Sequence, residues 1–147
     1  MNTITLQIDS REVRVAEGTT LFQAAKSLGI EIPHLCRREN MLPTSSCRLC
    51  VVEVEGARNL VASCSYPVAN DMVVGTNTDR VVKARRLAIE LLLSDHPFDC
   101  MTCEKSGDCD LEKYAYELGV STSRFQGEKH AYPLDETNPF FVRDYNK

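Results

Sequence analysis

Eight side chains in this 147-residue chain stand out for what they can bind: Cys36, Cys47, Cys50, Cys64, His96, Cys100, Cys103 and Cys109. The first four are spaced C-x10-C-x2-C-x13-C and the second four H-x3-C-x2-C-x5-C. Two thiolates separated by two residues can turn toward one centre. Cysteines arriving from a preceding loop and a following strand then complete a four-sulfur set, which suits either zinc or an iron–sulfur cluster. A thioredoxin-like redox pair at Cys47 and Cys50 would need a helix to start at the motif after a strand. The residues that follow, "VVEVEG", read as a strand instead. Three cysteines with a histidine are also a common zinc set, so the second constellation leaves the same two metals open. Seven cysteines would leave one thiol over in a pure disulfide framework, whereas the two sets together use every cysteine.

Setting favours a cluster at the first set. Three of its ligands sit in one loop beside a predicted sheet, with Ser45 and Ser46 small enough to let backbone N–H groups approach the sulfurs. Such donors stabilise a negatively charged site and help set its potential. Around the second set, "DHPFDCMTCEKSGDCD" holds few apolar residues, and a bound metal centre would compensate for the missing core. Cys109 falls at a helix start, where the macrodipole favours an anionic centre. His96 reads as a ligand, the alternative being a cap on the carbonyls of the preceding helix. His34 reads as a loop residue packed near the first set, and His130 as a solvated tail residue.

The elements that must position these residues are legible in periodicity. "TITLQID" and "EVRVA" read as strands joined at Ser10 and Arg11, with Ile4, Leu6 and Ile8 on one face. Thr19 or Thr20 can cap a helix bearing Leu21, Ala24, Ala25 and Leu28, stopped by Gly29. "LCVVEVEG" and "NLVASCSY" read as strands around a turn at Glu55, Gly56 and Ala57, and "MVVGT" as another. Strand, strand, helix, loop and strands over residues 1–77 is the order of a β-grasp, a mixed sheet packed on one helix.

From Thr78 the pattern turns helical, with Val81, Ala84, Ala88 and Leu91 on one stripe, widened by Val82, Ile89 and Leu93, until Pro97. A second helix is expected from Asp110 to Leu118, with Gly119 as its stop. Residues 78–119 thus form a small helical subdomain around the second set, and 120–147 an extended arm. The fold class expected is α+β. Arg80, Lys83, Arg85 and Arg86 read as a solvated helix face, with docking of an acidic partner as the alternative. The arm aromatics Phe125, Tyr132, Phe140, Phe141 and Tyr145 would bury against a partner or a following domain.

A formal charge of −4 argues against a nucleic-acid surface. The longest apolar run, "LAIELLLS", is short and interrupted by Glu90, which argues against membrane insertion. The start lacks the layout of a signal peptide, so a cytoplasmic location is expected.

The stretches "LCRRENMLPTSSCRLCVVEVEG", "LVASCSYPV" and "SDHPFDCMTCEKSGDCDLEKYA", in this order, resemble the N-terminal iron–sulfur region of one group. It comprises the large iron–sulfur subunit of respiratory complex I, α subunits of NAD-dependent formate dehydrogenases, and many [FeFe] hydrogenases and their partner subunits. The resemblance covers nearly the whole chain. It implies a β-grasp [2Fe–2S] ferredoxin-like domain with Cys36 and Cys47 on one iron and Cys50 and Cys64 on the other. It further implies a [4Fe–4S] cluster on His96, Cys100, Cys103 and Cys109. The first loop is longer than the C-x4-C spacing of plant-type ferredoxins, which match less well.

The function implied is one-electron relay between an NAD(P)H-oxidising flavin subunit and a further iron–sulfur or catalytic subunit. No catalytic site of its own is expected, since no G-x-G-x-x-G loop or other substrate site is present. In larger members a segment like "NPFFVRDYNK" is followed by more cluster modules. The expectation is therefore either a short relay subunit or the N-terminal piece of a formate dehydrogenase or hydrogenase. A zinc-stabilised interaction module is the reading from a different class.

Overall fold

The computed structural model describes residues 2–125 and 127–146; Met1, and Gln126 and Lys147 of the expected arm, lie outside the described residues. Internal contacts gather into two units, Met1–Ala88 and Ile89–Lys147.

In the first unit, β1 (Thr3–Ile8) and β2 (Arg11–Ala16) pair antiparallel, from Thr3 opposite Ala16 to Ile8 opposite Arg11. The turn falls at Asp9 and Ser10, one residue earlier than the spacing suggested. Both residues are left-handed, with φ 47° and 65°, the geometry in which a two-residue loop matches the twist of its strands. Asp tolerates that conformation, and here its carboxylate also accepts from the Thr76 backbone N–H at 2.8 Å.

Helix α1 (Leu21–Ser27) starts at Thr20, whose hydroxyl accepts from the Gln23 N–H while the Gln23 side chain accepts from the Thr20 N–H. This reciprocal cap selects Thr20 over Thr19. At the other end Gly29, with φ 72°, turns the chain out of the helix.

Strands β3 (Val51–Val54), β4 (Val61–Ala62) and β5 (Val73–Gly75) complete a five-stranded sheet in the order β2-β1-β5-β3-β4. The β1–β5 pair is parallel and the others antiparallel. Leu6, Ile8, Val52, Val54 and Val74 bury one face together with Leu21, Ala24 and Ala25 of α1. Strands β3 and β4 are shorter than their apolar runs predict. The chain leaves β4 after Ala62 in a tight turn, with Ser65 and Tyr66 N–H groups both donating to the Ala62 carbonyl. Cys50 and Cys64 flank the sheet yet belong to the same core cluster.

Helix α2 (Asp79–Asp95) begins in the first unit and ends in the second. Its buried positions are Val81, Arg85, Ile89 and Leu93, four residues apart, while Leu91 of the expected stripe is 51% exposed. The periodicity misplaced the stripe because it counted Arg85 as solvated. In the structure Arg85 is 4% exposed and hydrogen-bonded.

Within the second unit a 3₁₀ turn at Cys100–Thr102 precedes α3 (Asp110–Glu117), which buries Tyr114 and Ala115. After α3 the described residues contain no helix or strand, only a two-residue bridge between Asp135 and Arg143. All five arm aromatics are exposed, Phe140 most of all. No helix of the described residues is long and apolar enough to cross a membrane.

The start of α2 is tied to β3 through Glu53. Its carboxylate accepts from Thr78 Oγ1 at 2.6 Å and from Arg80 at 3.2 Å, and these two groups hold its pKa below the usual 4.5. A lowered carboxylate pKa adds stability that is complete above the ordinary value and is lost as pH falls through the lowered one. Denaturant midpoints from about pH 6 to about pH 3 should therefore show wild type ahead of Glu53→Gln at the upper end, with the gap closing below 4.5. A gap independent of pH would contradict this.

Candidate metal centres

Every cysteine is a free thiol. The first set lies wholly in the first unit and is built as two pairs. Cys36 and Cys47 sit half-exposed on the loop between α1 and β3 and interact through their side chains. Cys50, 1% exposed, and Cys64, 2% exposed, lie in the core and likewise interact with each other. The Cys50–Cys64 pair is fixed by Ser63, whose N–H and hydroxyl both donate to the Cys50 carbonyl, at 3.1 Å and 2.7 Å.

The pairs differ in electrostatics. Burial works against ionisation of Cys36, but hydrogen bonds from Thr44, Cys47 and Ser46 outweigh it and bring the thiol down to about 6. Burial of Cys50, reinforced by the neighbouring Cys64 and Cys47 sulfurs, pushes its thiol up to about 12. The serines expected to admit backbone donors also supply their own hydroxyls: Ser45 Oγ lies 3.4 Å from Cys64 Sγ. Backbone donors reach the sulfurs as well: the Leu35 N–H donates to Cys47 Sγ at 3.5 Å, and the backbones of Cys47 and Cys64 serve Cys36 and Cys50. The loop is bent through left-handed residues at Asn40, Ser45 and Arg48, conformations that cost a non-glycine residue energy.

One neighbour of the set meets the expectation and one escaped it. His34 does pack beside the loop, as an edge partner of the Phe22 ring at 4.9 Å and bonded to the Ile32 carbonyl; Arg37 covers the same ring. Arg85, expected on a solvated face, instead reaches Leu49 O and Val51 O, each at 2.9 Å, on either side of Cys50. A helical charge pattern carries no sign of a partner more than 30 residues away.

The second set lies wholly in the second unit. His96, Cys100, Cys103 and Cys109 line one cavity of about 370 Å³, closed further by Leu93 and Tyr116. Cys109 is the N-cap residue of α3 but makes no side-chain cap bond, which leaves its thiol for the cavity. The Cys100 thiol is raised by burial, then by Glu112, Cys109 and Cys103. His96 follows the last residue of α2; its Nδ1 accepts from the Phe98 N–H at 3.4 Å rather than donating to a helix carbonyl. Its backbone carbonyl accepts from Lys129. His130 is not simply solvated: its N–H and Nδ1 bond Asp95 at 2.9 Å and 2.8 Å, and its ring stacks on Tyr132.

The second set surrounds a volume. Among the described residues no three His, Cys, Asp or Glu side chains converge as ligands of a single ion. The donor chemistry fits iron–sulfur clusters: donors in fours, four thiols hydrogen-bonded in a loop and core in one set, three thiols with an imidazole around a cavity in the other.

A mixed sheet with one covering helix and a cysteine-bearing loop, followed by a second donor set between helices, defines an iron–sulfur protein with a ferredoxin-like domain. The chain belongs to the family described as 2Fe-2S iron-sulfur cluster binding domain, which residues 1–79 match. Residues 85–124 match the NADH-ubiquinone oxidoreductase-G iron-sulfur binding region. Its cofactors are accordingly a [2Fe–2S] and a [4Fe–4S] cluster.

The chain is 45% identical over its whole length to the HndD component of the NADP-reducing hydrogenase of Solidesulfovibrio fructosivorans, of which it covers 26%. It is 44% identical over 87% of its length to the G subunit of NADH-quinone oxidoreductase from Rickettsia bellii (strain RML369-C), of which it covers 19%. A crystal structure of NAD+-reducing [NiFe]-hydrogenase in the H2-reduced state superposes with a TM-score of 0.89 at 34% identity, covering 97% of this chain and 60% of that one. The chain thus spans about a quarter or less of these two curated relatives.

Ser45 generates a direct test. Its hydroxyl donates to Ser65 Oγ at 2.8 Å and lies 3.4 Å from Cys64 Sγ in a contact where either atom can donate; were Cys64 to ligate the two-iron centre, its sulfur would be the stronger acceptor. Ser45→Ala should lower the midpoint potential of the two-iron centre while leaving iron content unchanged, as read by EPR-monitored titration. An equal or higher midpoint would rule out the hydroxyl as a tuning donor.

Proposed function

We propose that this chain relays single electrons inside a larger oxidoreductase. In this reading Cys36, Cys47, Cys50 and Cys64 hold the [2Fe–2S] cluster, and His96, Cys100, Cys103 and Cys109 hold the [4Fe–4S] cluster. The observation that carries it is the division of all seven cysteines and His96 into two sets of four, each inside one of the two matched iron–sulfur regions. The side-chain pairing of Cys36 with Cys47 and of Cys50 with Cys64 supports two ligands per iron at the first centre. The domains follow: residues 1–77 as the ferredoxin-type domain, 78–119 as the helical His–Cys₃ subdomain and 120–147 as an arm.

Bound clusters supply reversible one-electron storage. The chain's residues fix where that charge sits and how much it costs. Cys50 and Cys64 anchor one side in the core, where water is excluded. Cys36 and Cys47 present the other at the accessible rim, where Thr44 and Ser46 hydroxyls stabilise negative charge. At the second centre His96 replaces a thiolate by a neutral ligand, so one negative charge fewer opposes reduction.

The partners are a flavin-containing subunit that oxidises NAD(P)H and a further iron–sulfur or catalytic subunit, and the complex works in the cytoplasm. The support is that the relatives are named for coupling a nicotinamide to hydrogen or to a quinone.

Anaerobically isolated protein should be brown, bleach with dithionite and carry about six irons with matching sulfide. A colourless protein holding about two zincs would instead establish the structural-metal alternative. His96→Cys should retain the four-iron centre at a lower midpoint, since it restores a thiolate charge. Redox titration that finds the midpoint unchanged or raised would remove His96 from the ligand set.

A further inference from the structure

Arg85 is 4% exposed, and its guanidinium bonds are spent on two carbonyls rather than on a carboxylate. A charge in such a place is costly unless something of opposite sign compensates it. The groups acting on it are identifiable: desolvation opposes its charge, and the Cys50 sulfur, followed by Asp9, favours it. Asp9 is already engaged by Thr76. The two bonded carbonyls belong to the residues immediately before and after Cys50, so the fork grips the backbone on both sides of that thiol. Cys50 lies at the buried side of the donor set, away from the hydroxyls that serve Cys36. Negative charge on the Cys50 sulfur is favoured by a hydrogen bond from the Cys64 backbone, and the cation that acts on it is Arg85.

We propose that Arg85 is the buried counter-charge of the two-iron centre, a positioning residue that holds residues 49–51 around Cys50 and raises the potential of that centre. The inference rests on the assignment of Cys50 as a cluster ligand. An electron added at the site increases its negative charge by one, and a fixed cation beside a ligand sulfur stabilises the reduced state more than the oxidised. Placing that cation on helix α2 makes the potential a property of the fold rather than of the surrounding salt, since a buried charge is little screened.

Three variants separate charge from grip: Arg85→Lys keeps the cation, Arg85→Gln keeps a donor without charge, and Arg85→Met keeps neither. Arg80→Gln, on the same helix but outside the site, controls for a generic loss of charge. Each full-length protein is assayed anaerobically for iron and sulfide, then titrated with EPR detection of the two-iron signal. Wild type must show that signal for the assignment of the centre to stand; its absence refutes the assignment and the role of Arg85 with it, whereas variants that fail below with the signal present refute the role of Arg85 alone.

With the signal present, Arg85→Gln and Arg85→Met should both shift the midpoint to more negative values. Arg85→Lys should stay near wild type, and Arg80→Gln should move it less than either neutral variant. If the neutral variants fail to load the two-iron centre while Arg85→Lys loads it, the need for a cation beside Cys50 is upheld. The proposal is overturned by neutral variants with wild-type iron and an unmoved midpoint. It is overturned equally by a lysine variant that behaves like the neutral ones, whether in midpoint or in loss of iron.

Discussion

On the ligand assignment proposed above, negative charge must be kept beside a small apolar core, and that constraint bears on the whole first unit. Two of the four sulfurs, those of Cys50 and Cys64, are sealed among Val52, Val54 and α1. A low-dielectric interior penalises an uncompensated anion heavily. The chain meets the penalty differently at each side of the set. At the rim, hydroxyls from a short polar run lower the cost for Cys36. In the core, Ser63 satisfies the Cys50 carbonyl, and a guanidinium borrowed from α2 faces the sulfur from the protein side.

The second unit solves a different problem. Its donors stand around a cavity that Leu93, Leu111, Ala115 and Val120 also line, and on the proposed assignment a cluster bound there would add to this small core. The arm contributes to this frame. Arg124 pairs with Glu90, Lys129 with the His96 carbonyl and His130 with Asp95, three contacts between the arm and the end of α2. The last two fall at Asp95 and His96, so the residue that distinguishes this set from four cysteines has its backbone carbonyl held from the arm.

Much of this was legible in the sequence because it depends on local rules. Alternation in "TITLQID" gave β1, the capping threonines gave the start of α1 to within one residue, and Gly29 and Gly119 gave the helix stops. The donor sets were legible because cysteine is scarce and its spacing informative. What escaped was long-range. The short β4 reflects a turn made to deliver Cys64, and an apolar run cannot announce it. Arg85 resembles its basic neighbours on α2 until β3 is placed beside it. His130 gains its partner Asp95 from 35 residues earlier. The turn at Asp9 was displaced by one residue because its stabilising group, Thr76, lies at the far end of the domain's sequence.

The left-handed residues Asn40, Ser45 and Arg48 have a consequence for how the protein matures. None is glycine, so each spends conformational energy that an empty loop has little reason to spend. Sheet, helix and the Cys50–Cys64 floor are secured by apolar contacts that need no metal. On the ligand assignment proposed above, the Cys50 and Cys64 pair would stand in place without a metal, and the strained span from residue 36 to residue 48 would be the part that a bound cluster holds in shape.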